Sequence, residues 1–459
     1  MKTYQDFLAA QNKMEFVLQA INEHKDSDIY KTAVIANDYF RKRNTTIKQY
    51  ERTIYTLTGQ KVNDRFSPNH KATSGFFKKF VTQQTQFLLG NGVSWENDER
   101  KKGFDNKFDL ALQKAAKYAL IGAVSFGFWN LDKLQIFKIT EFVPLYDENT
   151  GALRAGIRWW QISSNKPLRA TLYEEDGYTE YEWNRRDNST KYAGEIIKDK
   201  QKYIINVSTS EVDGTEIRDG ENYPSFPIVP LWANDEHESE LVGIREGIDA
   251  YDLIKNGYTN ELDSAQIYWL IKGAGGMDDK DLVQFLDRLK TTHAAAPADG
   301  QEVEAKTVDI PYEAREKLLD RIEKDLYRDY MALNTENLSI RNATATEIKA
   351  AYMPLDSKAD DFEYMVLDFI EGILSIAGVE NTASFTRSYV VNTSEEVTTV
   401  VQAANHLTDD YVTEKILTLL GDGDKAEEMI KQKEADSMSR FNEDEEDEDN
   451  PEDNEDAEE

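Results

Sequence analysis

The groups in this 459-residue chain that could do chemistry are five histidines, a surplus of carboxylates and one glycine-rich turn. His24, His70, His237, His293 and His406 stand far apart, without the HExxH or comparable spacing that a zinc site needs. Cysteine is absent, which removes thiolate chemistry, disulfides and Cys-based metal sites and makes a reducing cytoplasm the expected compartment. Carboxylates are so numerous that finding a pair of them carries no information. Gly273-Ala-Gly-Gly276 imitates a phosphate loop, yet no Lys-Ser/Thr follows, and Met277-Asp278-Asp279 puts negative charge where a phosphate would sit. Asp422-Gly-Asp424 opens like a calcium loop, but its fifth position is Ala426 and no terminal Glu is correctly spaced. These residues imply no hydrolase or nuclease, no cofactor and no metal.

Charge narrows the partners. The net charge is −32, and residues 441–459 hold thirteen carboxylates and no base; without them the rest of the chain still carries −19. Tight binding to a DNA backbone needs clustered Lys and Arg that release counterions. No basic run exceeds three residues, as in Arg41-Lys42-Arg43. An acidic wall could surround DNA loosely, since repulsion favours sliding over sticking. The tail lacks the apolar residues needed to fold. The N-terminus has no apolar signal core, and the longest nearly apolar stretch, Tyr118–Trp129, is short of the ~20 residues that span a bilayer. No membrane is expected.

The elements that would position any site are helical in the centre. Leu241, Ile244, Ile248, Tyr251, Ile254, Tyr258 and Leu262 form one apolar stripe along Leu241–Asp263. Glu246, Asp249, Asp252, Lys255, Asn256 and Asn260 occupy the other face. At ~1.5 Å per residue this helix is roughly 33 Å long, close to one ~34 Å turn of B-form DNA. Leu318, Leu319, Ile322, Leu326, Tyr330 and Leu333 mark a partner helix over Tyr312–Leu333, with Pro311 before its first turn. Between them lies an insert. Ala265–Lys272 reads as a strand, Asp278 or Asp279 caps a helix through Leu289, and Glu304–Ile310 returns as a strand. A polar loop, Asn334–Asn342, leads to a third helix, Thr344–Ile376, where Thr344 and Glu347 have capping-box spacing. Pro354 must kink or break it.

Before the hairpin, Tyr4–Ile21, Ile29–Arg43, Lys71–Leu89 and Phe104–Ile121 read as helices. Val124–Asn130, Leu134–Ile139, Gly156–Ile162, Arg169–Tyr173 and Tyr178–Trp183 then read as strands, the last two joined across Asp176-Gly177. Trp159, Trp160 and Trp183 cluster there as sheet core or subunit interface. Pro224, Pro227 and Pro230 mark a rigid connector. The pattern describes an α+β chain that is mainly helical.

Three segments resemble the portal proteins of tailed double-stranded DNA phages, of the type common in siphophages of Gram-positive hosts. The first is Ala36–Ile47 with Asn69-His-Lys71 and Phe76–Gly90; the second is Phe226-Pro-Ile-Val-Pro230 leading into Leu241–Ile254. The third is Tyr389-Val-Val-Asn392 with Glu395-Glu396, followed by helices Val397–Leu407 and Asp410–Leu420. The stretch Ser339-Ile-Arg-Asn342 departs from the glycine-rich sequence often found there in relatives.

The resemblance implies a portal fold assembled as a cyclic ring, usually of twelve subunits, at one capsid vertex, through which DNA is packaged and ejected. By it, residues 1–235 form the wing, 236–265 and 312–333 the stem helices, and 266–311 the clip. Residues 334–343 form the tunnel loop, 344–380 a kinked wing helix, 381–440 a helical crown and 441–459 an acidic tail. The implied DNA-channel residues are Asn337, Ser339, Arg341 and Asn342 of the loop, with Lys255, Lys272, Lys324 and Arg328. The implied docking residues of the clip are Asp278, Asp279, Lys280, Arg288 and Lys290, facing the terminase large subunit and later a head-completion or adaptor protein. Major capsid and scaffolding proteins are further implied partners. The location is the virion, with the host cytoplasm during assembly. The competing class is an acidic scaffold or chaperone that binds basic partners through its tail.

Overall fold

A computed structural model describes residues 2–433, apart from 56–58, 65–66, 98–102, 186–191, 210–215, 265–266, 273–279, 282, 286–301, 308–311, 336–344, 389–392 and 427. Its contacts divide the chain into two compact units, residues 1–332 with 355–388, and residues 333–354 with 389–459.

The first unit opens with α1 (Tyr4–Ala9), α2 (Lys13–Asp26), α3 (Asp28–Phe40) and α4 (Thr45–Gln49). The single helix expected over Tyr4–Ile21 is two, because Asn12 leaves helical geometry and its side chain caps α2 through the Glu15 N–H. Short strands β1 (Thr53–Tyr55) and β2 (Lys61–Asn63) precede α5 (Phe76–Leu89), β3 (Val93–Trp95) and α6 (Asn106–Gly122).

The strand-rich stretch follows: β4 (Val124–Asn130), β5 (Lys133–Lys138), β6 (Phe142–Tyr146), β7 (Leu153–Trp160), β8 (Leu168–Glu174), β9 (Gly177–Arg185), β10 (Tyr192–Gln201), β11 (Ile204–Thr209), β12 (Glu216–Glu221) and β13 (Ile228–Trp232). β10-β9-β8-β7-β6 form one antiparallel sheet and β13-β4-β5 another. The residues read as a connector at Pro227–Pro230 are thus partly a strand. Pro230 is tolerated because β13 is an edge strand, and Ile228 and Leu231 bury their side chains.

Alternation along these strands builds layers. Val143, Leu145, Ile157, Ala170, Leu172 and Trp183 pack under α1 and α2, whereas Phe142 and Tyr173 turn to the other face and meet Phe126, Phe128 and Phe137. Trp183 is therefore core, as expected for one member of the tryptophan cluster. Gly127 of β4 faces the opposite way, into a third cluster built by α5, α6 and the hairpin helices.

That hairpin consists of α7 (Arg245–Ser264) and α8 (Tyr312–Tyr330). Leu241 and Ile244 are buried but precede helical geometry, and Met331 with φ 63° ends α8 before Leu333. β14 (Ile267–Lys272) pairs antiparallel with β15 (Glu302–Thr307) beyond the hairpin, with a helical stretch at Lys280–Asp281 and Val283–Phe285 between them. The Gly273–Gly276 turn, the Asp278 or Asp279 cap, Pro311 and the Thr344 cap all fall outside the described residues.

Helix α9 (Ala345–Ala377) runs through Pro354 without a break. The boundary between the two units falls at the same residue. In the first unit β16 (Ala383–Phe385) pairs with β3. The second unit holds α10 (Thr393–Ala403), a 3-10 turn Ala404–His406 and α11 (Asp409–Leu420), which ends on Gly421 with φ 88° before a further 3-10 turn, Gly423–Lys425.

A Cβ at Gly127 would lie 2.4 Å from the ring of fully buried Phe369, so close packing of α9 on β4 needs glycine there. Gly127→Ala is expected to cost about 1–3 kcal/mol of stability in urea unfolding; an unchanged midpoint would show that the ring moves freely.

Candidate functional site

Part of the polar face of α7 is turned away from solvent. Asp252, Asn256 and Asn260 are buried, and with Asp249 they form a ladder that grips two N-terminal segments. Asn44 sits between the rungs: its amide donates to Asp249 at 2.8 Å and Asp252 at 2.9 Å, while its carbonyl oxygen caps α4 by accepting from Ile47 N–H at 3.2 Å. Both donors and the acceptor of this amide are in use. Tyr39 and Thr46 donate hydroxyl hydrogen bonds to Asp249 at 2.5 and 2.9 Å.

The second segment is held through its backbone. Ser74 N–H donates to Asp252 at 2.8 Å, Ala72 N–H to Asn256 at 2.8 Å and His70 N–H to Asn260 at 2.7 Å; the Asn256 amide returns a bond to Ala72 C=O at 2.7 Å. Burial pushes the Asp252 carboxyl above its ordinary range, opposed by the Asn44 and Ser74 hydrogen bonds. Burial also raises Tyr39, helped by its bond to Asp249.

The hairpin is closed at both ends. Arg315 forks onto Glu261 at 2.6 and 3.0 Å near the insert. Gly247 lies so close to Leu326 that a Cβ would approach its side chain to 2.8 Å. At the opposite end Tyr330 is buried, stacks on Phe80 and donates to Gln84 at 2.8 Å. Lys358 of α9 lies 3.8 Å from the centre of the Tyr330 ring and pairs with Glu240 at 2.5 Å. Further along α9, one guanidinium, that of Arg387, gathers Asp356, Asp360 and Glu363.

The residues singled out from the sequence lie as follows. Lys255 is exposed on α7 above the Tyr251 ring. Lys324 and Arg328 are exposed on α8, and Arg328 pairs with Asp325 at 2.9 Å and Asp329 at 3.6 Å. Lys280 is exposed at the start of the helical stretch in the insert, and Lys272 ends β14. Pro354 is exposed within α9. Asn337, Ser339, Arg341 and Asn342, and Asp278, Asp279, Arg288 and Lys290, fall outside the described residues. Two residues escaped notice: Lys317 and Arg321 join Lys324 and Arg328 in one exposed stripe on α8. Their spacing of four, three and four was the available signal. Among the described residues no group of three or more His, Asp or Glu side chains could hold a metal, and no helix is long and apolar enough to cross a membrane.

The ladder joins segments already singled out by resemblance: Ala36–Ile47, Asn69–Lys71 and Leu241–Ile254. A family model described as phage portal protein, SPP1 Gp6-like, matches residues 20–439. The chain belongs to that portal family. It is 24% identical over 421 residues to the portal protein of Bacillus phage SPP1, covering 84% of this chain and 79% of that relative. It is 24% identical over 388 residues to the portal protein of Clostridium phage phiCD119, covering 78% and 82%. A chain from the neck of an empty gene transfer agent particle matches with TM-score 0.40 and 12% identity, over 75% of this chain and 90% of that one. The likeness to portals of phages from Gram-positive hosts is therefore upheld, and with it a structural rather than an enzymatic role.

Loss of Asn44 would leave the buried Asp252 and the half-buried Asp249 each short of a donor. Asn44→Ala is expected to cost about 1–3 kcal/mol in chemical unfolding at pH 7; no change would remove the ladder from the account of stability. Asp252 gives a pH signature. Because its folded value is raised, the stability it contributes is complete below the unfolded value near 3.8 and is lost as pH rises through the folded one. The stability difference between the natural protein and Asp252→Asn should therefore shrink from pH 4 to pH 7; a constant difference would contradict this.

Proposed function

We propose that copies of this chain close into a ring of about twelve subunits at one capsid vertex, whose bore passes double-stranded DNA during packaging and ejection. The observation that supports this reading is family membership over residues 20–439. A net charge of −32 per copy is the second support, since it multiplies around a ring and gives a wall that repels rather than grips phosphate.

Within that reading, residues 1–235 are the wing, 236–265 and 312–333 the stem, and 266–311 the clip that docks the terminase large subunit and then a head-completion protein. Asp278, Asp279, Lys280, Arg288 and Lys290 are the clip residues proposed to meet them. Residues 334–343 form the tunnel loop, with Asn337, Ser339, Arg341 and Asn342 as transient DNA contacts and Lys255 as another. Pro354 removes one backbone N–H from α9 and supplies a bend that lets the loop shift. Residues 381–440 are the crown, and the major capsid and scaffolding proteins surround the assembled ring in the virion after assembly in the host cytoplasm.

Mass decides between this and the other reading, an acidic scaffold or chaperone working through the thirteen carboxylates of residues 441–459. A ring of twelve should weigh about 630 kDa, twelve times 52.6 kDa, by native mass measurement, with a central hole in negatively stained images. Monomers or dimers at every concentration and salt would sink the ring and leave the scaffold standing.

A further inference from the structure

Each of the two hairpin helices carries one stripe that other elements of the chain leave wholly or partly uncovered. On α8 it is Lys317, Arg321, Lys324 and Arg328, all exposed; on α7 it is the exposed Glu246 and Leu253 with the half-buried Ala250 and Gly257. Both stripes advance in steps of four, three and four residues, and each stays within about 60° of helical arc. The contacts inside the hairpin set their relative height. Gly247 abuts Leu326 and Glu261 forks onto Arg315, so Arg328, Lys324, Arg321 and Lys317 come level with Glu246, Ala250, Leu253 and Gly257 respectively.

We infer that the basic stripe of α8 docks on the α7 stripe of the next copy, forming the stem contact of the ring proposed above, on which this inference rests. Copies in a closed cyclic ring are related by rotation alone, so with the hairpin set along the ring axis every side chain meets its neighbour at its own height. Level stripes are what such an arrangement requires. The chemistry is complementary as well. Arg328 meets Glu246 at the wing end, beside a cleft of about 190 Å³ whose lining includes Glu236, Glu238, Gly243 and Asp329. Below it, the aliphatic stems of Lys324, Arg321 and Lys317 cover Ala250, the half-exposed Leu253 and the open space over Gly257.

DNA is the weaker occupant for this stripe. Asp325 approaches both Arg321 and Arg328, Asp329 approaches Arg328, and Glu313, Glu316 and Asp320 border the stripe, so it lacks the uncompensated charge that phosphate binding needs.

Because the chain contains no cysteine, introduced thiols report the register directly. Chains carrying Glu246→Cys are co-expressed with chains carrying Arg328→Cys and treated with a short bismaleimide. A cross-linked dimer is expected, and at least about tenfold less of it when Lys317→Cys replaces Arg328→Cys, since eleven residues displace that thiol by roughly 16 Å. In parallel, Lys324→Glu with Arg328→Glu should raise the concentration needed for ring assembly by roughly tenfold or more, and Glu246→Arg should restore part of it. Rings of normal mass that cross-link equally at 317 and 328 would overturn the pairing while leaving the ring intact. Rings of the charge-reversed protein that form at unchanged concentration but fail to retain DNA would give the stripe to DNA instead. A monomeric natural protein would remove the ring itself, and this contact with it.

Discussion

The first helix of the hairpin is held to the N-terminal segments by a row of short polar side chains, three of them buried and the fourth, Asp249, half-buried. Asp249, Asp252, Asn256 and Asn260 lie on α7 in steps of three, four and four residues, and their partners come from residues 39–46 and 70–74. Apolar packing alone would let a helix slide or rotate on its support, because dispersion contacts are not directional. Hydrogen bonds to specific backbone N–H groups remove that freedom, since any shift leaves a buried donor or acceptor without its partner. A helix has to keep one height and one rotation if the surfaces it shows to its surroundings are to stay in line.

The apolar side of the same helices does a different job. Phe76 and Phe80 of α5 reach Tyr251 of α7 and Tyr327 and Tyr330 of α8, and edge-on and stacked rings fill the space between the three helices. Lys358 then covers the Tyr330 ring, tying α9 to the end of α8 while its charge is met by Glu240. The site is thus fastened along one face by directional bonds and along the other by bulk.

How much of this could be read from the chain depended on the range of the interactions. The hairpin helices were legible because Ile248, Tyr251 and Tyr258, or Leu319, Ile322 and Leu326, repeat at helical spacing within one window. Their ends were less so: Leu241 and Ile244 keep the apolar rhythm because the core wants them, although the backbone is still turning there. β13 was hidden by its prolines, which signal a connector unless the strand is known to lie at an edge. β10 and β12 were hidden by charge, since Glu195, Lys198 and Asp199, or Glu216, Arg218 and Asp219, give no apolar alternation. The ladder was the least legible part, for the deepest reason. Asp252 and Asn256 look like any solvent-facing turn of helix, and the amide that justifies them, Asn44, lies 208 residues earlier than Asp252. A helix face carrying two Asn and two Asp, all poor helix formers, held a weak hint that its side chains were employed elsewhere.

The same contrast orders the charges of the hairpin. Carboxylates spread over the surface give a chain that repels DNA and, equally, other copies of itself, so a protein of this composition can associate only where the sign is locally reversed. On α8 it is reversed along one line, and that line is stiffened by ion pairs within its own helix, between Arg321 or Arg328 and Asp325. Such exposed pairs add little to the stability of the single chain. Their consequence is positional: they hold long, flexible cations in a narrow stripe and keep the local field weak enough that phosphate gains little by stopping there. A surface with that balance discriminates by shape and height, which is what separates a fixed neighbour from a polymer that has to keep moving.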